Sequence, residues 1–146
     1  MQLQSMYQEL ILDHYKHPQG KGLTEPFVSE SHHVNPTCGD EITLRVDGDE
    51  SGFTISYDNQ GCSISQASAS MMYDLINGKS YAEASRIADA FMAMMQSQGN
   101  GTPDEDVLED AVAFHGVSKY PARVKCALLG WMAYKDAATA AIARKG

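Results

Sequence analysis

The stretch CGDEITLRVDGDESGFTISYDNQGC, residues 38–62, decides the fold, because its pattern predicts a β-hairpin with a cysteine at each end. Apolar and polar residues alternate on both sides of residues 48–52, which is the period of two half-buried strands. The segment 48–52 itself is rich in Gly, Asp and Ser, as expected of a hairpin turn. The strand-forming apolar residues are Ile42, Leu44, Val46, Phe53, Ile55 and Tyr57.

The register of this hairpin is restricted, because a slip of one residue would turn every apolar side chain to the other face. Both apolar sets share one face if Leu44 lies opposite Tyr57 or opposite Ile55. In either case Cys38 and Cys62 lie nearly opposite each other at the open end of the hairpin. We therefore expect the two sulfurs to be a few ångströms apart.

Helical spacing of apolar residues predicts helices on both sides of the hairpin. The predicted helices cover residues 3–15, 63–77, 81–96 and 104–114 and the segment from 121 onward, and one further short strand falls within 27–34. We expect an α+β fold, a small antiparallel sheet of two or three strands with about five helices packed against it. The candidate site described below should lie at one end of that sheet.

Three helix starts can be predicted from capping chemistry. Ser63 or Ser65 can cap the helix that follows Cys62, and Ser80 with Glu83 three residues later has the pattern of a capping box. The acidic segment 104–114 places carboxylates near the positive end of its helix, and His115 with the following glycine should end it.

The size and charge of the chain limit which classes of protein it can belong to. With 146 residues, 43% hydrophobic, the chain fits one globular domain spanning residues 1–146. A net charge of -8 and a pI near 4.9 argue against a nucleic-acid partner, which requires clustered basic residues. Without an apolar span or a signal-peptide pattern, we expect a cytoplasmic protein with no membrane association.

The three cysteines raise the question of metal or thiol chemistry. An odd number cannot pair completely within one chain, and an intracellular compartment would keep the thiols reduced. The alternative is that all three are small buried core residues.

The pattern Cys38-Gly39-Asp40 offers a thiolate and a carboxylate around a residue that permits a sharp bend. Both groups are zinc ligands in proteins. The alternative for Asp40 is a carboxylate that stabilises the turn.

Cys62 and Cys126 would supply further thiolates. Cys62 lies at a strand-to-helix junction, where the positive end of the helix should lower the pKa of its thiol. Cys126 lies near the start of the last helix shortly after Arg123 and Lys125, whose positive charges should also favour the thiolate.

The sequence segments around these residues resemble those of a known protein family. The stretches NPTCGDEITLRV (35–46), NQGCSISQASASMM (59–72) and YPARVKCALLGW (120–131) closely resemble the three cysteine motifs of the U-type iron-sulfur cluster assembly proteins, the IscU/NifU N-terminal-like family. MYQELILDHYKHP (6–18) resembles the first helix of that family, so the resemblance covers nearly the whole chain.

Two departures from the scaffold branch of that family resemble its SufU branch. The scaffold branch carries a histidine immediately before the third cysteine, whereas this chain has Lys125, a poor ligand at neutral pH. The segment between Cys62 and Cys126 is also longer than in scaffolds, and the extra length corresponds to residues 99–120.

The resemblance implies a function. It makes Cys38, Asp40, Cys62 and Cys126 ligands of one Zn2+, and Cys38 the acceptor of sulfur from a SufS-type, pyridoxal-phosphate-dependent cysteine desulfurase. The sulfur would pass to downstream iron-sulfur assembly proteins, so the chain would be a sulfurtransferase-like acceptor. It also implies that a histidine of the desulfurase replaces Cys38 on the metal. Arg123 is a candidate for tuning the site or contacting the desulfurase.

Two alternatives remain open at this point. The chain could be a scaffold that assembles a [2Fe-2S] cluster on the same cysteines. It could also be a binding module in which zinc is purely structural, and Cys38→Ser would then unfold the chain.

Overall fold

The computed structural model of the chain describes the backbone of residues 2–145 and the side chains of residues 6–144. Within this range the elements are, in order, α1 (Gln2–Lys16), β1 (Ser29–Asn35), β2 (Asp40–Asp49), β3 (Gly52–Gln60), α2 (Ser63–Ile76), α3 (Tyr81–Met95), α4 (Glu105–Leu108), a 3₁₀ helix (Glu109–Lys119) and α5 (Pro121–Lys145). The expected α+β fold is confirmed. No helix in this part of the chain is long and apolar enough to cross a bilayer.

The three strands form one antiparallel sheet in the order β1-β2-β3. Leu44 lies opposite Tyr57, so one of the two registers expected from the sequence is confirmed. Asn35 lies opposite Asp40, which leaves residues 36–39 as a short turn between β1 and β2. This turn and the end of β3 lie at the same end of the sheet.

One face of the sheet forms the core. Its apolar side chains are buried beneath α5, which packs across β1 and β2, and beneath α2, which packs against β3. Trp131 of α5 is fully buried and stacks on Phe91 of α3 with ring centroids 4.4 Å apart. Its indole N–H donates to the hydroxyl of Ser68 on α2 at 3.0 Å, so the three helices are fixed together over the sheet.

Helix α2 is attached to the hairpin at both ends. At its start, Cys62 is the residue that connects β3 to the helix. At its end, the side-chain oxygen of Asn77 accepts from the backbone N–H of Ile55 at 2.8 Å, and the N–H of Gly78 donates to the carbonyl of Phe53 at 2.7 Å. The helix therefore links the open end of the hairpin to its turn.

The predicted caps are partly right. The Ser80 cap is confirmed, because its hydroxyl accepts from the backbone N–H of Glu83 at 3.2 Å. The cap at Ser63 or Ser65 is wrong. Cys62 occupies the capping position, and the hydroxyl of Ser65 instead donates back to its carbonyl at 3.1 Å. Cys62 takes this position because its own backbone is still extended while its carbonyl accepts the first helical hydrogen bond, from the N–H of Gln66 at 3.2 Å.

The single helix predicted over 104–114 is also wrong. Regular helix stops after Glu105–Leu108, and a 3₁₀ helix continues to Lys119, beyond the expected end. The physical reason is packing, since a 3₁₀ helix has three residues per turn and brings every third side chain to one face. Ala111, Phe114 and Val117 have this spacing and pack in or against the core, and Val112 and Ala113 are buried as well.

Candidate metal centre

The four residues expected to form the site come together at the open end of the hairpin. Cys38 lies in the turn between β1 and β2, Asp40 begins β2, Cys62 joins β3 to α2, and Cys126 lies in the second turn of α5. The sulfurs of Cys126 and Cys38 are 3.2 Å apart, and the sulfur of Cys62 is 3.8 Å from Oδ2 of Asp40. One ligand atom each from Cys38, Asp40 and Cys126 lies within 4.8 Å of the others, and Cys62 adjoins this group through Asp40.

Asp40 is the centre of the arrangement and is 0% exposed. Its Oδ1 accepts the backbone N–H of Cys62 at 2.8 Å, which leaves Oδ2 directed towards the thiols. No ion pair formed by the side chains of residues 6–144 involves this carboxylate. A buried carboxylate without a cationic partner is unfavourable, so the site suits a bound cation.

Two glycines make this geometry possible. Gly39 has φ of 70°, which allows the tight turn between the cysteine and the aspartate, as expected from the sequence. Gly61 has φ of 140°, and a Cβ there would lie 2.8 Å from both Cα and Cγ of Asp40. This role of Gly61 was not predicted from the sequence. The one indication of it there is that a glycine directly precedes Cys62.

The environment of Cys126 differs from the expectation. Burial raises the pKa of its thiol well above the ordinary value of 9.0, and hydrogen bonds with the Asp40 carboxylate and the other two thiols raise it further. The expected lowering by Arg123 and Lys125 is wrong, because both side chains are exposed to solvent. Without a cation this thiol is protonated at neutral pH, and a metal ion would supply the charge that makes it a thiolate.

The three sulfurs differ in access. Cys126 is 0% exposed, whereas Cys38 and Cys62 are half-buried. Arg123 precedes Cys126 by one helical turn, and its exposed side chain forms no ion pair with the carboxylate of Asp40 among the side chains of residues 6–144. An incoming reactant can therefore reach Cys38 or Cys62 but not Cys126.

Asn35 is a second neighbour of the site that the sequence analysis missed. Its side-chain nitrogen lies 3.8 Å from the sulfur of Cys126, and its carbonyl accepts the backbone N–H of Cys38 at 3.2 Å. Its position three residues before Cys38 was the only signal in the sequence.

The fold and the site together define a class of protein. It is a small α+β domain in which three thiols and one carboxylate meet at the end of a three-stranded sheet, a donor set suited to a soft or borderline metal such as zinc or to an iron-sulfur cluster.

Comparison with known proteins identifies the family. Residues 6–127 match the NifU-like N terminal domain. The chain therefore belongs to this family of U-type iron-sulfur cluster assembly proteins.

Relatives agree with this assignment. The chain is 45% identical over 134 residues to the zinc-dependent sulfurtransferase SufU of Bacillus subtilis (strain 168), covering 90% of this chain and 88% of the relative. It is 42% identical over 136 residues to the iron-sulfur cluster assembly scaffold protein IscU of Streptococcus pyogenes serotype M1, covering 92% and 84%.

The fold also matches a solved structure. The crystal structure of a nitrogen-fixing NifU-like protein (N-terminal) from Brucella abortus superimposes with a TM-score of 0.84 over 96% of each chain. At 24% identity this likeness concerns the fold alone.

Proposed function

We propose that this chain binds one zinc ion through Cys38, Asp40, Cys62 and Cys126 and accepts sulfur on Cys38 for iron-sulfur cluster assembly. The observation that carries the proposal is a fully buried carboxylate beside a fully buried thiol, both adjacent to a more accessible thiol. The SufU relative supports the choice of metal, because its name describes a zinc-dependent sulfurtransferase.

The donor set fits zinc. Zinc in proteins takes four ligands in a tetrahedron, and thiolates with a carboxylate are among its preferred donors. Bound there, it would hold the thiols as thiolates near neutral pH. Because Oδ1 of Asp40 already accepts the N–H of Cys62, the oxygen offered to the metal is Oδ2.

Cys38 is the acceptor that the surroundings favour. Cys126 is excluded by its burial. Cys62 is restrained at the start of α2, where its N–H donates to Asp40 and its carbonyl accepts from Gln66 at 3.2 Å. Cys38 lies instead in a turn next to Gly39, where nothing would contact an added Cβ, so the space above it is open.

The transfer needs no external oxidant or reductant. The thiolate of Cys38 attacks the outer sulfur of a persulfide carried by a cysteine desulfurase of the SufS type, which depends on pyridoxal phosphate. A new S–S bond forms on Cys38 while the donor's S–S bond breaks, and the donor cysteine leaves as a thiolate. Cys38 then carries a persulfide for downstream assembly proteins.

Mass spectrometry after incubation with a desulfurase and cysteine tests this proposal. Wild type should gain about 32 Da, one sulfur atom, on Cys38, and the purified chain should contain about one zinc. Cys38→Ser should stay folded and gain nothing. A sulfur adduct confined to Cys62, or none on any cysteine, would contradict the proposal.

A scaffold function is the second candidate, because the chain is also 42% identical to a relative named as an IscU scaffold and the same three thiols could hold a [2Fe-2S] cluster. Reconstitution with iron and sulfide separates the two. A brown protein with acid-labile sulfide supports the scaffold, whereas a colourless zinc protein supports transfer. Unfolding of Cys38→Ser would support a purely structural zinc.

A further inference from the structure

Asn35 touches the site at more than one point. It is the last residue of β1, only 8% exposed, and lies directly opposite Asp40 in the sheet. Its backbone carbonyl accepts the N–H of Cys38 at 3.2 Å, while its side-chain amide points to the sulfur of Cys126 at 3.8 Å. The backbone contact is available to any residue type, whereas the side-chain contact requires an N–H donor.

The sulfur of Cys126 has close neighbours on several sides. It lies 3.2 Å from the sulfur of Cys38 and 3.6 Å from the carbonyl oxygen of Ala122. Among residues 6–144, Asn35 is the side chain that donates to this sulfur.

We infer that Asn35 is a positioning residue whose buried side-chain amide orients the sulfur of Cys126 towards the bound metal. This inference rests on the proposed function. The side-chain amide of Asn35 forms a hydrogen bond with the sulfur of Cys126. The same bond orients a ligand towards a metal, as outer groups do at many metal sites.

The test compares Asn35→Asp with wild type and with Asn77→Asp as a matched control. Asn35→Asp keeps the shape of the side chain but replaces the amide donor by a carboxylate. Asn77→Asp makes the same change at the other end of the hairpin and keeps the oxygen that accepts the N–H of Ile55. Asn35→Ala removes the amide without adding charge and serves as the second variant.

Three measurements report on the side chain itself. The first is zinc affinity by competition with a chelator, the second is the fraction of each cysteine alkylated by iodoacetamide, and the third is the sulfur-to-metal absorption band of the cobalt-substituted protein. Both Asn35 variants should bind zinc about 10- to 100-fold more weakly, as for other groups that orient ligands. The labelling of Cys126 relative to Cys38 should rise and the cobalt band should shift, while Asn77→Asp matches wild type in all three.

These experiments distinguish failure of the proposed function from failure of the role inferred for Asn35. Wild type that binds no zinc and accepts no sulfur would overturn the proposed function. Wild type that does both, alongside Asn35 variants with unchanged affinity, labelling and cobalt spectrum, would overturn only the role of Asn35. Circular dichroism that shows both variants unfolded would also overturn it, because the residue would then be required by the fold.

Discussion

The two ends of the β2–β3 hairpin are built differently, although α2 contacts both. At the turn end, backbone groups are paired with each other. The N–H of Tyr81 donates to Glu50 at 2.8 Å, that of Phe53 to Lys79 at 3.1 Å, and that of Gly78 back to Phe53 at 2.7 Å. At the open end, α2 begins on a cysteine without a side-chain cap and a buried carboxylate holds one backbone N–H.

The turn end therefore contributes to stability, whereas the open end provides the candidate reactive groups. At the turn end, backbone N–H and carbonyl groups are paired with each other and stabilise the structure without a metal ion. The open end contains thiols that contact each other, Asn35 and Asp40 at 3.2 to 3.8 Å, and a carboxylate that forms no ion pair among the side chains of residues 6–144. The open end of the hairpin therefore presents sulfur and oxygen atoms whose lone pairs a metal ion can bind.

The largest expected effect follows from metal removal. Stripping zinc with a chelator should lower the free energy of unfolding by about 3 to 4 kcal/mol, measured against zinc at roughly 100 to 1,000 times its dissociation constant. The loss should be local. In hydrogen exchange the amide of Cys62 should lose protection while that of Phe53 keeps it, and equal loss at both ends would contradict the comparison.

The next effect uses the same substitution at each end. Gly61→Ala introduces a Cβ 2.8 Å from Cα and Cγ of Asp40 at a φ of 140°, so we expect a loss of about 2 to 3 kcal/mol together with weakened zinc binding. Gly78→Ala has φ of 82° but nothing within 4 Å of the added Cβ, and should cost about 1 kcal/mol with zinc binding intact. Urea unfolding and zinc analysis measure both, and equal losses would show that the approach to Asp40 is unimportant.

Asn77→Ala tests the turn end alone. It removes the oxygen that accepts the N–H of Ile55 at 2.8 Å, which should lower the free energy of unfolding by about 1 to 2 kcal/mol. Zinc stoichiometry should not change. Loss of zinc in a folded variant would mean that the two ends are coupled more strongly than their hydrogen bonds suggest.

The smallest effect is expected at Tyr134, which lies near Tyr81 on the side of the turn end. Its buried hydroxyl has no hydrogen-bond partner among the described residues, so Tyr134→Phe should change the free energy of unfolding by less than about 0.5 kcal/mol at neutral pH. A loss greater than about 1 kcal/mol would indicate a partner for the hydroxyl.

Tyr134→Phe should also change how the free energy of unfolding depends on pH in alkaline solution. Burial raises the pKa of Tyr134 from 10.0 to about 12, so the folded protein holds this proton more tightly than the unfolded chain. That contribution to stability is complete below pH 10 and is lost as pH rises through the raised pKa. Unfolding measured at several pH values should therefore show a shallower alkaline decline in Tyr134→Phe than in wild type.

Different parts of this structure were predictable for different reasons. The sequence limited the hairpin to two registers, Leu44 opposite Tyr57 or opposite Ile55, because a period of two and a short turn leave few choices, and the structure has the first. The approach of Cys126 to Cys38 did not follow from any local pattern, since it depends on how α5 crosses the sheet. It was expected only from the resemblance to U-type proteins.

The features that were missed depend on orientation rather than on residue type. Arg123 and Lys125 closely precede Cys126 in sequence, yet both side chains are exposed to solvent whereas Cys126 is fully buried. The roles of Gly61 and Asn35 depend on how closely β3 approaches Asp40 and on how the end of β1 meets α5. Spacing in the sequence contains none of this information.

The turn that carries Cys38 is short, and the residues on either side of it, Asn35 and Asp40, are paired directly in the sheet. A tether of this length gives the sulfur little reach, in contrast to the long swinging arms of other carrier proteins. Under the proposed function, the protein that delivers sulfur and the protein that collects it would approach the same small opening one after the other. Their complexes with this chain should exclude each other.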